Sequence, residues 1–102
     1  MSRESWKQVD DLVARRDPWC RGVLVLGLNA PIEELAAGFR EAALSDSCRG
    51  FAVGRTIWQE PSRDWLAGQI GDAELIARVR ASFETLIRAW RSSRERRKEA
   101  TA

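Results

Sequence analysis

At the start of the chain, apolar residues are spaced as on one face of a helix. An unbroken apolar run comes next. One face of a helix predicted over residues 5–16 carries Trp6, Val9, Leu12 and Val13. Asp17-Pro18 ends this helix, because the residue before a proline is pushed out of the α conformation. The run "GVLVLGL" follows at residues 22–28. A strand that is apolar on both faces is typical of a parallel sheet covered by helices, or of a barrel.

The pattern then alternates between helix and strand. After the turn Asn29-Ala30-Pro31, a helix is predicted to start at Pro31, which suits a first helical position, and to run through Leu44. Its apolar stripe consists of Ile32, Leu35, Ala36, Phe39 and Ala43. Residues 50–53 are predicted to form a second apolar strand. Pro61 is predicted to open a short helix that ends at Gly68, and Asp72 to cap a last helix with an apolar face from Leu75 to Trp90.

The element order is therefore helix, strand, helix, strand, short helix, long helix. Such alternation predicts an α/β fold with two parallel strands. Two strands leave most of a sheet unpaired, and a complete barrel needs about 250 residues. We therefore expect the last quarter of a (β/α)8 TIM barrel, beginning in the helix after strand six. Residues 1–91 would be this incomplete domain, and the basic residues 92–102 a disordered tail.

Composition limits the kinds of chemistry that the chain can perform. The net charge is +2, and the chain contains no histidine and two cysteines, Cys20 and Cys48. Histidine is the commonest general base and metal ligand, so we expect no metal and no cofactor. No signal peptide and no apolar run of membrane-spanning length is visible, which predicts a cytoplasmic protein with reduced, buried thiols. The basic tail lacks interleaved aromatic residues, which favours a solvated helix end over nucleic-acid binding.

Candidate site residues follow the two strands. Gly54-Arg55 comes after the second strand, and Gly27 and Asn29 come after the first. The carboxyl ends of the last two barrel strands commonly bind phosphate. A glycine exposes backbone N–H groups, and an arginine adds charge-assisted hydrogen bonds. We predict a phosphate site from these four residues. The alternative is a pair of ordinary turns with a surface arginine.

Longer motifs add a family resemblance. "GFAVGRTIWQEP" resembles the last-strand signature of class I aldolase barrels that act on sugar phosphates. Together with "RDPWCRGVLVLGLNAP" and the last helix that ends in tryptophan, it resembles the end of the aldolase-like barrel fused to bacterial 5-dehydro-2-deoxygluconokinases of myo-inositol catabolism. The resemblance covers roughly residues 5–91.

The resemblance implies a substrate and a missing group. The substrate would be 5-dehydro-2-deoxygluconate 6-phosphate, a phosphorylated sugar acid that related aldolases, which are C–C lyases, cleave. Their Schiff-base lysine would lie on strand six, upstream of this chain. The lysines present are Lys7, in the first helix, and Lys98, in the tail. We therefore expect the chain alone to be inactive, with no catalytic residue of its own.

Two other functions stay open. The chain could be a non-catalytic sugar-phosphate-binding or assembly module associated with a carbohydrate kinase. Alternatively, its exposed strand edges could drive association with itself or with the missing barrel portion. The apolar strands would lack partners within one copy, so we expect weak stability for the isolated chain.

Overall fold

The computed structural model describes residues 1–101, with side chains through residue 99. The elements are, in order, α1 (Arg3–Arg16), β1 (Val23–Leu26), α2 (Ile32–Ala42), β2 (Cys48–Ala52), α3 (Arg55–Leu66) and α4 (Asp72–Thr101). β1 and β2 pair in parallel. The predicted α/β class and element order are thus confirmed in the described part of the chain. Assignment to a TIM-barrel fragment stays a prediction.

The sheet has two different faces because side chains alternate along a strand. Val23 and Val25 of β1 face the helices, whereas Leu24 and Leu26 are 53% and 59% exposed on the other face. The register shifts between Val23 and Leu24, so Arg49 of β2 has no partner on β1. Helices therefore cover one side of the sheet, and apolar side chains stay exposed on the other.

The core lies between the sheet, α2 and α4. Phe39 of α2 and Leu86 of α4 are completely buried. The Phe39 ring centroid lies 4.9 Å from that of Phe51 in β2 and 5.4 Å from that of Trp90 in α4. A second cluster places Trp6 of α1 near the strand starts. The predicted helical stripes thus contribute to two neighbouring clusters that both contact Val25 and Trp90, whereas Leu12 and Ile76 stay exposed.

α3 begins six residues earlier than the sequence predicts. It starts at Arg55, directly after β2, and contains Pro61 in its interior. The carbonyl of Gly54 accepts the N–H groups of Ile57 and Trp58 at 2.8 and 3.2 Å, which forms the first turn. Proline removes one helical hydrogen bond. The helix tolerates this loss because Ile57 and Pro61 are both buried against the rest of the protein.

The segment predicted as a disordered tail also differs. Its described part continues α4 as a helix through Thr101, and residue 102 lies outside the described residues. Ser93 is buried. The guanidinium of Arg94 donates to the carbonyl of Cys48 at 3.3 Å, and that of Arg97 donates to the carbonyl of Ser45 at 2.8 Å. These carbonyls, one in the loop before β2 and one at its first residue, hold the last helical turns against the domain.

None of the described helices combines the length and the apolar character that a membrane-spanning helix requires. Cys48 is buried, as predicted, and Cys20 is half-buried; both thiols are free. Burial raises the pKa of the Cys48 thiol.

Candidate phosphate-binding cleft

A cleft of about 740 Å3 lies at the carboxyl ends of the strands. Its walls are the turn after β1, the beginnings of α2 and α3, and the middle of α4. Two of the four predicted phosphate ligands, Asn29 and Arg55, line it. Both side chains are on exposed residues, so a small anion in solution can reach them.

One hydrogen bond fixes the relative position of the two strand-end loops. The hydroxyl of Thr56 donates to the carbonyl of Ala30 at 2.7 Å, although these residues are 26 positions apart in the chain. Because Thr56 follows Arg55 and Ala30 follows Asn29, this bond holds the two predicted ligands on a common cleft. Thr56 also lines the cleft.

The cleft receives the amino-terminal ends of two helices. Ile32 and Glu33 from the start of α2 and Arg55 and Thr56 from the start of α3 line it. The first N–H groups of a helix lack intrahelical acceptors, and the helix dipole makes this end positive. Backbone donors at the starts of α2 and α3 and the Arg55 side chain therefore border the same space.

The two predicted glycines have a different place. Gly27 and Gly54 do not line the cleft. A Cβ on Gly54 would lie 2.4 Å from the Trp58 ring, and a Cβ on Gly27 would lie 2.2 Å from a methyl of Val53. Each glycine thus permits close packing of a neighbouring side chain. That their backbone groups bind phosphate stays a prediction.

The turn that presents Asn29 is conformationally strained. The N–H of Ala30 donates to the carbonyl of Gly27 at 2.9 Å, which closes a four-residue turn. Its central residues, Leu28 and Asn29, have φ values of 49° and 66°. Asparagine tolerates this left-handed conformation, whereas a leucine is rarely found in it. Such strain is concentrated at functional sites, and here it sets the position of Asn29.

Sequence reasoning missed the remaining charged groups of the cleft. Arg78 of α4 reaches it and forms an ion pair with Asp64 of α3 at 2.9 Å. The carboxylates of Glu33 and Glu60 also line it. No sequence pattern connects these residues, because they come from three different helices. The cleft therefore offers anion-binding donors beside carboxylates that can accept hydrogen bonds from hydroxyl groups.

The fold and this cleft define a small α/β protein with a cleft at the ends of two parallel strands, lined by both arginine and glutamate side chains. A family model described as "Uncharacterized protein conserved in bacteria (DUF2090)" matches residues 1–94. The chain belongs to this family. No curated protein and no solved structure matches the chain.

Proposed function

We propose that this chain is the phosphate-binding, C-terminal portion of a sugar-phosphate aldolase-like barrel. The ligand would be 5-dehydro-2-deoxygluconate 6-phosphate, in myo-inositol catabolism, as the sequence resemblance implies. The observation that carries the proposal is the hydrogen bond from Thr56 to Ala30, because it makes one cleft from two loops that are far apart in the sequence. That cleft contains Asn29, Arg55 and two helix starts.

The polar groups of the cleft suit the two ends of such a ligand. Arg55 and the backbone N–H groups at the start of α3 would bind the phosphate. Glu33 and Glu60 would accept hydrogen bonds from sugar hydroxyl groups. The cleft-lining residues include no lysine. A Schiff-base lysine would therefore have to come from the remainder of the barrel.

A second candidate is a non-catalytic sugar-phosphate-binding module associated with a carbohydrate kinase. The positions of the lysines favour it. Lys7 lies in α1 and Lys98 in the last turn of α4, and neither lines the cleft. A chain that binds the phosphate but cannot attack the ketone would act by binding alone.

Phosphate binding can be tested by nuclear magnetic resonance. We expect inorganic phosphate and dihydroxyacetone phosphate to shift the backbone amide signals of Arg55 and Thr56. Arg55→Ala should weaken binding about tenfold, because it removes charge-assisted hydrogen bonds. Arg63→Ala is the matched control, since Arg63 is exposed on α3 outside the cleft. If both variants lost the same amount of phosphate affinity, the binding would be general charge attraction, and the proposed phosphate site would be wrong.

Borohydride trapping separates the two candidates. We expect that dihydroxyacetone phosphate and borohydride leave the mass of the chain unchanged, because no lysine lines the cleft. Addition of the missing barrel portion should restore a covalent adduct if the chain is part of an aldolase. A reduced adduct on Lys7 or Lys98 of the chain alone would contradict this account.

A further inference from the structure

The two edges of the sheet are protected to different degrees. At the start of β2, the N–H of Cys48 donates to the hydroxyl of Ser45 at 3.1 Å, and the carbonyl of Cys48 accepts from Arg94. Side chains thus occupy the backbone groups of Cys48 at this edge. An unprotected edge strand, in contrast, is a template for pairing with another strand.

β1 has such an unprotected edge. The N–H of Val23 donates toward β2, to the carbonyl of Ser47, at 2.9 Å. Because backbone groups alternate along a strand, those of Leu24 and Leu26 point to the opposite edge. In the part of the chain that the structure describes, no hydrogen bond from outside the sheet reaches the backbone of Leu24 or Leu26. Residues 23–28 also contain no proline and no charge.

A groove of about 770 Å3 runs along this edge. Residues 24–28 form one wall, Trp6 of α1 and Leu35 of α2 contribute to the other, and Glu34 is the one charged side chain among the lining residues. Helices of this chain therefore already cover one side of any strand that enters. We infer that the free edge of β1 binds one extended, mainly apolar segment of another polypeptide, with a basic residue that pairs with Glu34.

A second folded copy of this chain fits the groove poorly. Val25 of that copy would arrive with its own Trp6 and Leu35, which pack on the same side of the sheet. These helices would compete for the space that α1 and α2 already occupy. The exposed apolar surface is also small, mainly Leu24, Leu26 and Leu28, against the roughly 800 Å2 per partner of a stable interface. A single weakly bound segment brings no helices of its own and needs less apolar surface than a stable dimer.

The probe is the capped peptide KVTVTVK, which alternates apolar and polar residues and has a lysine at either end. We expect it to slow hydrogen exchange of the Leu24 and Leu26 amides by about tenfold, since they gain acceptors in the complex. The control is KVTPTVK, of equal length and charge, in which proline removes a central donor. It should leave both amides unchanged.

Matched variants test the surface itself. Leu26→Lys places a charge on the edge and should abolish peptide binding. Leu66→Lys is the control, because Leu66 is also exposed but lies at the end of α3. If circular dichroism shows that Leu26→Lys does not fold, the test is the hydrogen exchange of the wild-type protein with KVTVTVK compared with KVTPTVK.

Four results would overturn the inference. They are equal effects of the two peptides, undiminished binding to a folded Leu26→Lys variant, slow exchange of Leu24 and Leu26 in the free monomer, or a dimer in which these amides are protected without peptide. The last result would make a second copy the occupant. The inference does not rest on phosphate binding: Arg55→Ala should still bind the peptide, and Leu26→Lys should still bind phosphate.

Discussion

Asp10 shows how one carboxylate can connect distant segments. From α1 it accepts hydrogen bonds from the Ser45 hydroxyl and from the backbone N–H groups of Asp46 and Ser47, at 3.1 and 3.2 Å for the latter two. Burial raises the pKa of Asp10, but these hydrogen bonds together outweigh burial and hold the pKa below its usual value. The loop before β2 is thereby fixed to the first helix.

Asp10→Asn should lower the free energy of unfolding at pH 7 by about 1–2 kcal/mol, because the amide replaces a charged acceptor. The lowered folded-state pKa stabilises the protein above the unfolded value of about 3.9, and this contribution is lost as the pH falls through the folded pKa. The difference between wild type and variant should therefore shrink below about pH 4. Urea unfolding at pH 7 and pH 3 measures it. Asp11→Asn, on the adjacent exposed position, should change neither value.

Gly54 lies against the ring of its neighbour Trp58. Gly54→Ala should lower the free energy of unfolding by about 0.5–1.5 kcal/mol, because the new Cβ would displace the half-exposed indole ring from its rotamer. In a Trp58→Ala background the same change should cost little. A double-mutant cycle by urea unfolding measures this coupling. Additive effects would show that the ring is not what excludes a side chain at Gly54.

At the scale of elements, the end of α4 is the largest departure from expectation. Residues 92–99 contain no large apolar side chain, so a sequence pattern offers no reason for them to pack. The structure supplies acceptors instead: Arg97 donates to the Ser45 carbonyl and contacts the Asp46 carboxylate, and Arg94 lies 5.6 Å from the centroid of the Trp90 ring. Polar contacts thus replace apolar burial.

Removal of residues 92–102 should therefore destabilise the protein by about 1–3 kcal/mol, through loss of the bonds to Ser45 and Cys48. Thermal unfolding followed by circular dichroism measures the change. Removal of residues 100–102 alone is the control and should have no effect. If both truncations leave the unfolding temperature unchanged, the contacts of Arg94 and Arg97 contribute nothing to stability.

At the scale of the whole molecule, stability depends on a small core. Phe39 contacts both the sheet and α4, whereas many apolar residues remain exposed, among them Leu24, Leu26 and Phe83. A domain of this size has few buried side chains with which to offset conformational entropy. This arrangement agrees with the expected weak stability of the isolated chain, which stays a prediction.

Phe39→Ala should lower the free energy of unfolding by about 3–5 kcal/mol, which matches nearly the whole stability of a domain at the weak end of the usual range. The variant should then be largely unfolded at 25 °C by near-ultraviolet circular dichroism. Leu66→Ala, at a residue that is 77% exposed, should behave as wild type. A cooperative, wild-type-like transition in Phe39→Ala would place the core elsewhere.

The sequence by itself determined the order of elements and the two strand ends. Unbroken apolar runs such as residues 22–28 and helical stripes such as that of α2 are local patterns, and local patterns specify helices and strands. They therefore placed Asn29 and Arg55 correctly at the carboxyl ends of the strands. The sequence pattern placed the start of α3 too late, at Pro61, because proline favours the first position of a helix. In the folded protein, the burial of Ile57 and Pro61 stabilises a helix that starts earlier.

Only the tertiary structure decided which of these residues meet. The bond from Thr56 to Ala30 and the approach of Arg78 to the cleft join segments whose proximity no spacing encodes. The same holds for the sheet edges, where Ser45 and Arg94 bond the backbone of Cys48 at the start of β2 and no such bond reaches Leu24 or Leu26 in the described residues. Such contacts depend on how the helices and strands pack in space, whereas the sequence pattern determines only whether a segment is a helix or a strand.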